Sequence, residues 1–208
     1  MLIIGAGGHA KELLDILNFN GEEEIFFYDD VARNSDSKLF NTYRILKNTK
    51  EAAAYFQEGD KRFLLGTGGT KIRKVLADKF GLLGGKISQV ISKRAYISAF
   101  DVFIGEGVNI MHNVTIEPSV TVGKGSLINL NSTIHHDSSI GEYCEIGPGV
   151  CITGNCRIGD FTFIGSGVII TPNITVGNNV VIGAGSVVTN DIQDNTTVVG
   201  IPAKALNK

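Results

Sequence analysis

From Ile104 onward an aliphatic side chain recurs at every sixth position, through Ile110, Ile116, Val122 and Ile128 to Ile182 and Val188, fifteen positions in one register without an insertion. A second series, two residues ahead of each aliphatic, holds small or β-branched residues such as Val114, Ser126, Ser138, Cys144, Cys156 and Thr162. Residues two apart on an extended strand point the same way, so both series face one interior. Glycine directly follows eight of the aliphatics, from Gly105 to Gly183. This period predicts a parallel β-helix, in which short strands stack coil upon coil and no single repeat buries its own core.

The residues before this ladder follow another rhythm. Leu2 to Ile4 reads as a short strand, followed by Gly5-Ala6-Gly7-Gly8-His9-Ala10 and an amphipathic helical run from Lys11 to Leu17. A strand over 25–28 ends in Asp29-Asp30, and a strand over 62–65 leads into Gly66-Thr67-Gly68-Gly69 and a helix over 70–80 that carries Arg73. The G-x-G-x-x-A spacing suits a strand–loop–helix unit that meets a phosphate, because small residues permit the tight turn and free amides face the anion. An acid about twenty residues further on is where such units meet a ribose. The expected organisation is a small Rossmann-like α/β domain over 1–90, enough for half a nucleotide site, and a β-helix over 91–208.

Composition narrows the partners. The 208 residues include 26 glycines and only 4 prolines, in keeping with many tight turns, and the net charge of −2 offers no basic field for nucleic acid or an anionic membrane. No apolar run approaches the ~20 residues of a membrane span or the layout of a signal peptide, so a soluble, cytoplasmic protein is expected. Cys144, Cys151 and Cys156 lack metal-site or disulfide-framework spacing and are expected as reduced thiols, the first and last in the core and Cys151 outward. No metal is expected.

Four histidines bring candidate chemistry. His9 lies in the first glycine loop, and His112, His135 and His136 lie in the repeats. In Ser132-Thr133-Ile134-His135-His136-Asp137 the interior position is Ile134, which puts both histidines at surface or corner positions, where a base could meet substrate.

The aliphatic-Gly-x-x-small-x repeat resembles the hexapeptide transferases, whose coils are left-handed triangular prisms of three hexads each. The GAGGHAK opening, the FYDD strand end, the GTGG loop with Arg73 downstream and the ending Val199-Gly200-Ile201-Pro202-Ala203-Lys204 extend the likeness over nearly the whole chain. Together they resemble the family of sialic acid O-acetyltransferases and nucleotide-4-amino-sugar N-acetyltransferases. That resemblance implies acetyl-CoA as co-substrate, a nucleotide-linked sugar held by the N-terminal domain, and a homotrimer with the coenzyme between neighbouring prisms. It implies His136 as general base, oriented by Asp137, with His135 as understudy. Gly154, eighteen residues beyond His136, would offer its amide to the thioester carbonyl, and Gly183, Ala184, Pro202 and Lys204 would line the coenzyme groove. Gly7, Gly8, His9, Gly66, Thr67, Gly68 and Arg73 would surround the phosphates, with Asp29 and Asp30 toward the nucleoside. Glu145 departs from the pattern, since some relatives carry a histidine near it that helps hold the acetyl carbonyl. N-acetylation of a 4-amino-4,6-dideoxy sugar leads. O-acetylation of a sialic acid and a non-catalytic trimeric scaffold stay open as alternatives, while His112, His135 and His136 lack the spacing of three zinc ligands in a γ-class carbonic anhydrase.

Overall fold

The fold, obtained as a computed structural model, describes residues 1–31 and 37–206. The N-terminal part runs β1 (Leu2–Ile4), α1 (Gly8–Asn20), β2 (Phe26–Tyr28), β3 (Lys38–Leu39), β4 (Tyr43–Leu46), α2 (Thr49–Glu58), β5 (Arg62–Leu65), α3 (Thr70–Leu82) and β6 (Lys86–Ile87). Its sheet has the order β3-β4-β2-β1-β5-β6, parallel except where β3 meets β4. β1 is central, and its Leu2, Ile3 and Ile4 are buried on both faces, as an unbroken apolar run in a parallel sheet requires. Ile3 packs with Leu13, Ile16 and Leu17 of α1, while Leu2 and Ile4 pack with Phe56, Phe63 and Phe80 on the other side. α1 stops at Gly21, whose left-handed backbone (φ 89°) returns its amide to the carbonyls of Asn18 and Leu17. Asn48 caps α2 by accepting from the Glu51 amide at 3.0 Å. The short β3 and β4 and the helix α2 are additions to the elements expected from sequence, and α1 and α3 run beyond their expected ends.

The chain lays down β1, β2 and β4 in one direction and then returns to place β5 on the other side of β1. At such a reversal the carboxyl ends of the two strands leave a crevice, and both glycine loops open into it.

The second part is a left-handed parallel β-helix with strands stacked on three faces, eighteen residues apart between Phe103 and Val188. The first face runs from Val90–Ile91 through Asn109–Ile110 and Glu145–Ile146 to Thr197–Val199. The second runs from Tyr96–Ile97 to Val187–Val188 and the third from Phe103–Ile104 to Thr175–Val176. Register pairs like with like: Ile110 opposes Ile128, which opposes Ile146. The ladder thus begins before Ile104. Of the fifteen aliphatics, fourteen are buried, and Ile104, in the first coil, is half-buried against the same core. The offset small residues are buried too. Their polar members are satisfied: Ser138 Oγ donates to the Thr153 carbonyl at 3.0 Å and accepts from the Cys156 amide at 3.1 Å. Burial pushes the Cys144 thiol up to about 12, so it stays a thiol. At every sixth residue, including Asn113, Asn131, Asp137 and Asn155, the backbone turns left-handed at a prism edge, where Asn, Asp and Gly are tolerated.

The N-terminal domain rests on the first face, where Val90, Met111 and Leu127 join the α1 core and Tyr143 joins the α3 core. Among the described residues no helix is long and apolar enough to cross a membrane.

Candidate active site

The crevice is a cavity of about 480 Å³. It is lined by the first glycine loop, Tyr28 to Val31, the second glycine loop, and the apolar side chains Ile72 and Leu76 of α3. Gly7, Gly8, His9, Asp29, Asp30, Gly66, Thr67 and Gly68, the residues read from sequence as substrate-binding, are all among its lining residues. Gly7, the residue before α1, supplies no side-chain cap, and the helix has no acid in its first turn, leaving amides to face the cavity. The two loops touch through backbone. Gly5 (φ +111°) has no room for a Cβ, which would stand 2.9 Å from the Gly66 carbonyl oxygen.

Asp29 spans the entrance by accepting from the Ala6 amide at 3.2 Å and the Val31 amide at 3.0 Å. Asp30 accepts from the Tyr28 hydroxyl at 2.7 Å and pairs with Lys79 at 3.3 Å, and these partners hold its carboxyl below the usual range. Burial, and then Asp30, push the Tyr28 hydroxyl upward. His9 joins the halves of the molecule: its Nδ1 lies 3.1 Å from Glu12 Oε2, and its Nε2 lies 3.1 Å from Asn109 Nδ2. Asn109 also donates to the Leu65 carbonyl, so its nitrogen faces the ring and Nε2 accepts, which leaves the Nδ1 proton for Glu12. Thr67 Oγ1 is buried without a hydrogen-bond partner among the described residues, beside the space a ligand would fill.

Arg73 corrects the sequence reading. It does not line the cavity but is fully buried beneath the second loop. Its Nε donates to the Gly125 carbonyl at 2.8 Å, and Nη1 donates to the carbonyls of Leu65 at 3.0 Å and Thr67 at 2.8 Å. Those inward carbonyls need donors, and a planar guanidinium reaches several at once. Burial lowers its pKa to about 10, which leaves it charged at neutral pH. Arg73 therefore shapes the loop and fastens the domain to the prism instead of meeting a phosphate.

His136 stands on the edge between the second and third faces, just before the left-handed Asp137 (φ 59°). Its Nδ1 lies 2.7 Å from Asp137 Oδ2, and its side chain is 53% exposed. The stacked residue is Gly154. A Cβ there would stand 2.7 Å from Cε1 and Nε2 of His136, so the missing side chain makes room for the ring. The Gly154 amide donates to no group among the described residues. An oriented imidazole beside a free amide can accept a proton while a donor meets developing negative charge on oxygen. His135 lacks such an orienting contact, with Nδ1 3.7 Å from Glu117 and Nε2 4.0 Å from Cys151 Sγ. His112 is a joint between halves, contacting Ser92 and Asp15 and meeting Phe19 edge-on. Among the described residues no group of His, Cys, Asp and Glu is gathered for a metal ion.

The residues expected to hold coenzyme are split. Gly183 lies under the closing segment, where a Cβ would stand 2.6 Å from Val199 Cγ1. Ala184, on the edge between the first and second faces, is exposed, as are Pro202 and Lys204. The closing segment is pinned by the Val187 amide to Gly200 and the Ala203 amide to Val187. Gly154 is on a different edge, so one chain does not bring the set together. Nor does one chain join cavity and base: the N-terminal domain sits on the first face, opposite the edge that carries His136.

Sequence reasoning missed Asn109, the apolar wall of Ile72 and Leu76, the Tyr28–Lys79 support of Asp30, and the bond from the Gly69 amide to Glu145 Oε2 at 2.6 Å. Only the apolar positions of α3 left a signal, as Ile72 and Leu76 fall on one helix face.

Residues 1–80 match the PglD N-terminal domain, and residues 155–190 match the bacterial transferase hexapeptide (six repeats). No curated protein matches by sequence. Among solved structures, the chain is similar to the acetyltransferase domain of PglB from Neisseria gonorrhoeae in complex with acetyl coenzyme A, at 31% identity over 99% of this chain and 98% of that one, with a TM-score of 0.89. It is similar to PerB from Caulobacter crescentus in complex with CoA and GDP-perosamine, at 28% identity over 99% and 96% with a TM-score of 0.89. WeeI from Acinetobacter baumannii is 26% identical over 99% and 98%, with a TM-score of 0.89.

Proposed function

The chain belongs to the hexapeptide-repeat acetyltransferases that carry a PglD-type N-terminal domain, and on that premise we propose that it moves the acetyl group of acetyl-CoA to the amino group of a nucleotide-linked 4-amino-4,6-dideoxy sugar. The observation that carries this reading is the His136–Asp137 pair, 2.7 Å apart on a coil edge whose next coil offers a side-chain-free Gly154.

The sugar amine arrives as an ammonium and must lose a proton to attack. His136 Nε2 takes it, and Asp137 holds the Nδ1 proton and stabilises the resulting imidazolium. The nitrogen lone pair forms the new C–N bond to the acetyl carbon as the C–S bond breaks. His136 returns a proton to the departing sulfur, so the products are the amide, free CoA thiol and the second ammonium proton, released to solvent. Throughout, the Gly154 amide is placed to donate to the carbonyl oxygen as charge builds on it. At the other end, the α1 amides and the Thr67 hydroxyl receive phosphate oxygens, and Asp29 and Asp30 stand toward the nucleoside. A nucleotide fits a cavity of this size.

The assembly that makes this chemistry possible is a homotrimer. In support, His136 and the cavity lie on opposite sides of one prism, and Gly154 and Ala184 lie on different edges, so each site needs the cavity of one subunit and the base edge of another. The setting is the cytoplasm, where three unpaired cysteines suit a reducing compartment. Co-expression of His136→Ala with Gly7→Val chains tests the arrangement. Each variant alone is inactive or poorly active, and mixed trimers regain activity from sites that combine the intact halves. Mixed trimers no better than the two parents added together would refute the composite site.

A further inference from the structure

Glu145 points outward from the first face, directly beside the second glycine loop. Its Oε2 accepts from the Gly69 amide at 2.6 Å, and a Cβ on Gly68 would stand 3.1 and 3.2 Å from its two carboxylate oxygens. Gly68 lines the cavity, and the carboxylate stands against that loop just beyond the lining residues, on the side that faces the β-helix. Oε1 has no hydrogen-bond partner among the described residues, and no ion pair spends the charge. Arg73 feels that charge but makes no ion pair with it; its Nε and Nη1 donate to the carbonyls of Gly125, Leu65 and Thr67, and its Nη2 has no partner among the described residues.

The direction of the ligand gives this carboxylate a purpose beyond capping α3. With the nucleoside toward Asp29 at the end of β2 and the phosphates at the start of α1, the sugar leaves the cavity past the Gly66–Gly69 loop. It must extend beyond the cavity to meet the base edge of another subunit, where acetyl transfer occurs. Just past that loop stands the Glu145 carboxylate. We propose that Glu145 is a specificity-determining residue that receives the ammonium of the acceptor sugar just beyond the cavity and so ranks amino over hydroxyl acceptors. The inference rests on the nucleotide-sugar reading of the cavity and deepens it. A cap on the Gly69 amide occupies one oxygen and needs no net charge. An ammonium makes use of the other oxygen and of the charge, because charge-assisted hydrogen bonds are about twice as strong as neutral ones. A sugar hydroxyl at the same place gains only the neutral bond.

Glu145→Gln keeps an oxygen for Gly69 and removes the charge. Calorimetric titration would compare it with the unaltered protein against UDP, GDP and dTDP, and then, for the nucleotide that binds, against its 4-amino-4,6-dideoxyhexose and 6-deoxyhexose conjugates. The expected result is affinity for the bare nucleotide and the hydroxy sugar within about twofold of wild type, and a loss of about 10- to 100-fold for the amino sugar alone. The KM for acetyl-CoA should stay unchanged. Equal weakening for all three ligands would make Glu145 a structural cap, and no weakening for any would remove it from the site; either overturns the inference. Should the Gln variant lose its fold, Glu145→Asp, which keeps the charge but withdraws it, must reduce the amino-over-hydroxy ratio or the inference fails. Wild-type protein that binds no nucleoside diphosphate would instead refute the reading of the cavity, and the role of Glu145 with it.

Discussion

Replacing Gly154 with alanine sets a methyl group against the His136 ring and leaves everything else in place. The backbone at Gly154 lies outside the left-handed region, so alanine meets no conformational penalty there. Its Cβ would stand 2.7 Å from Cε1 and Nε2 and 3.3 Å from Nδ1, against the 3.4 Å at which ordinary van der Waals contact begins. The ring must therefore retreat by most of an ångström. At 53% exposure it can swing toward solvent, which confines the cost in fold stability to about 1 kcal/mol or less. Catalysis is less forgiving. Misplacement on the order of 1 Å costs about 10²-fold, near the lower end of the ~10²–10⁴-fold that a general base supplies. Release of CoA thiol at saturating acetyl-CoA and nucleotide sugar would read kcat, and thermal unfolding would read stability. The expected outcome is kcat reduced about 10²-fold, both KM values within about threefold, and a midpoint lowered by no more than a few degrees. A kcat within threefold of wild type would refute the placement of the reacting group against this edge.

The other predictions probe separate parts of the molecule. His136→Ala should lower kcat by about 10²–10⁴-fold, with the loss shrinking as pH rises because the acceptor then arrives deprotonated, and Asp137→Asn should cost less; pH–rate profiles check both. Gly7→Val places a branched side chain in the cavity and should raise the KM of the nucleotide sugar about tenfold or more while sparing that of acetyl-CoA, measured by initial rates. Burial pushes the Asp60 carboxyl up, but its bonds from Arg62 and the Met1 ammonium outweigh this and hold it well below the usual range. A depressed carboxyl contributes stability that is complete above its unfolded pKa and fades as pH falls below about 4. Asp60→Asn should thus lower the unfolding midpoint at pH 7 and leave it nearly unchanged at the most acidic pH where the fold persists.

The β-helix was legible because one rule repeats. Each coil needs an aliphatic and a small residue inward and a left-handed corner, and Ile134, Ser138 and Asp137 answer those needs in a single repeat. Stacking at eighteen residues then sets Gly154 over His136 from the sequence alone. The glycine loops were legible for a similar local reason. Arg73 was misread because proximity in sequence to a glycine loop says nothing of inward carbonyls on Leu65 and Thr67, or of Gly125, which lies 52 residues away. Asn109 as a site residue, and the contact of Glu145 with the second glycine loop, were invisible for the same reason. Both occupy outward strand positions that a repeat pattern treats as solvent, and only the docking of the N-terminal domain turns them toward His9 and Gly69. The β3–β4 pair was too short to carry a periodic signal.

The central claim is acetyl transfer to a nucleotide-linked amino sugar with His136 as base. Its most direct test is to incubate the purified protein with acetyl-CoA and the 4-amino-4,6-dideoxyhexose conjugates of UDP, GDP and dTDP, and to follow both products by mass spectrometry. At least one conjugate should gain a single acetyl group on nitrogen, one for each CoA released, and His136→Ala should abolish that gain while still binding both substrates. No acetylation of any amino sugar, or acetylation that persists undiminished without His136, would contradict the account.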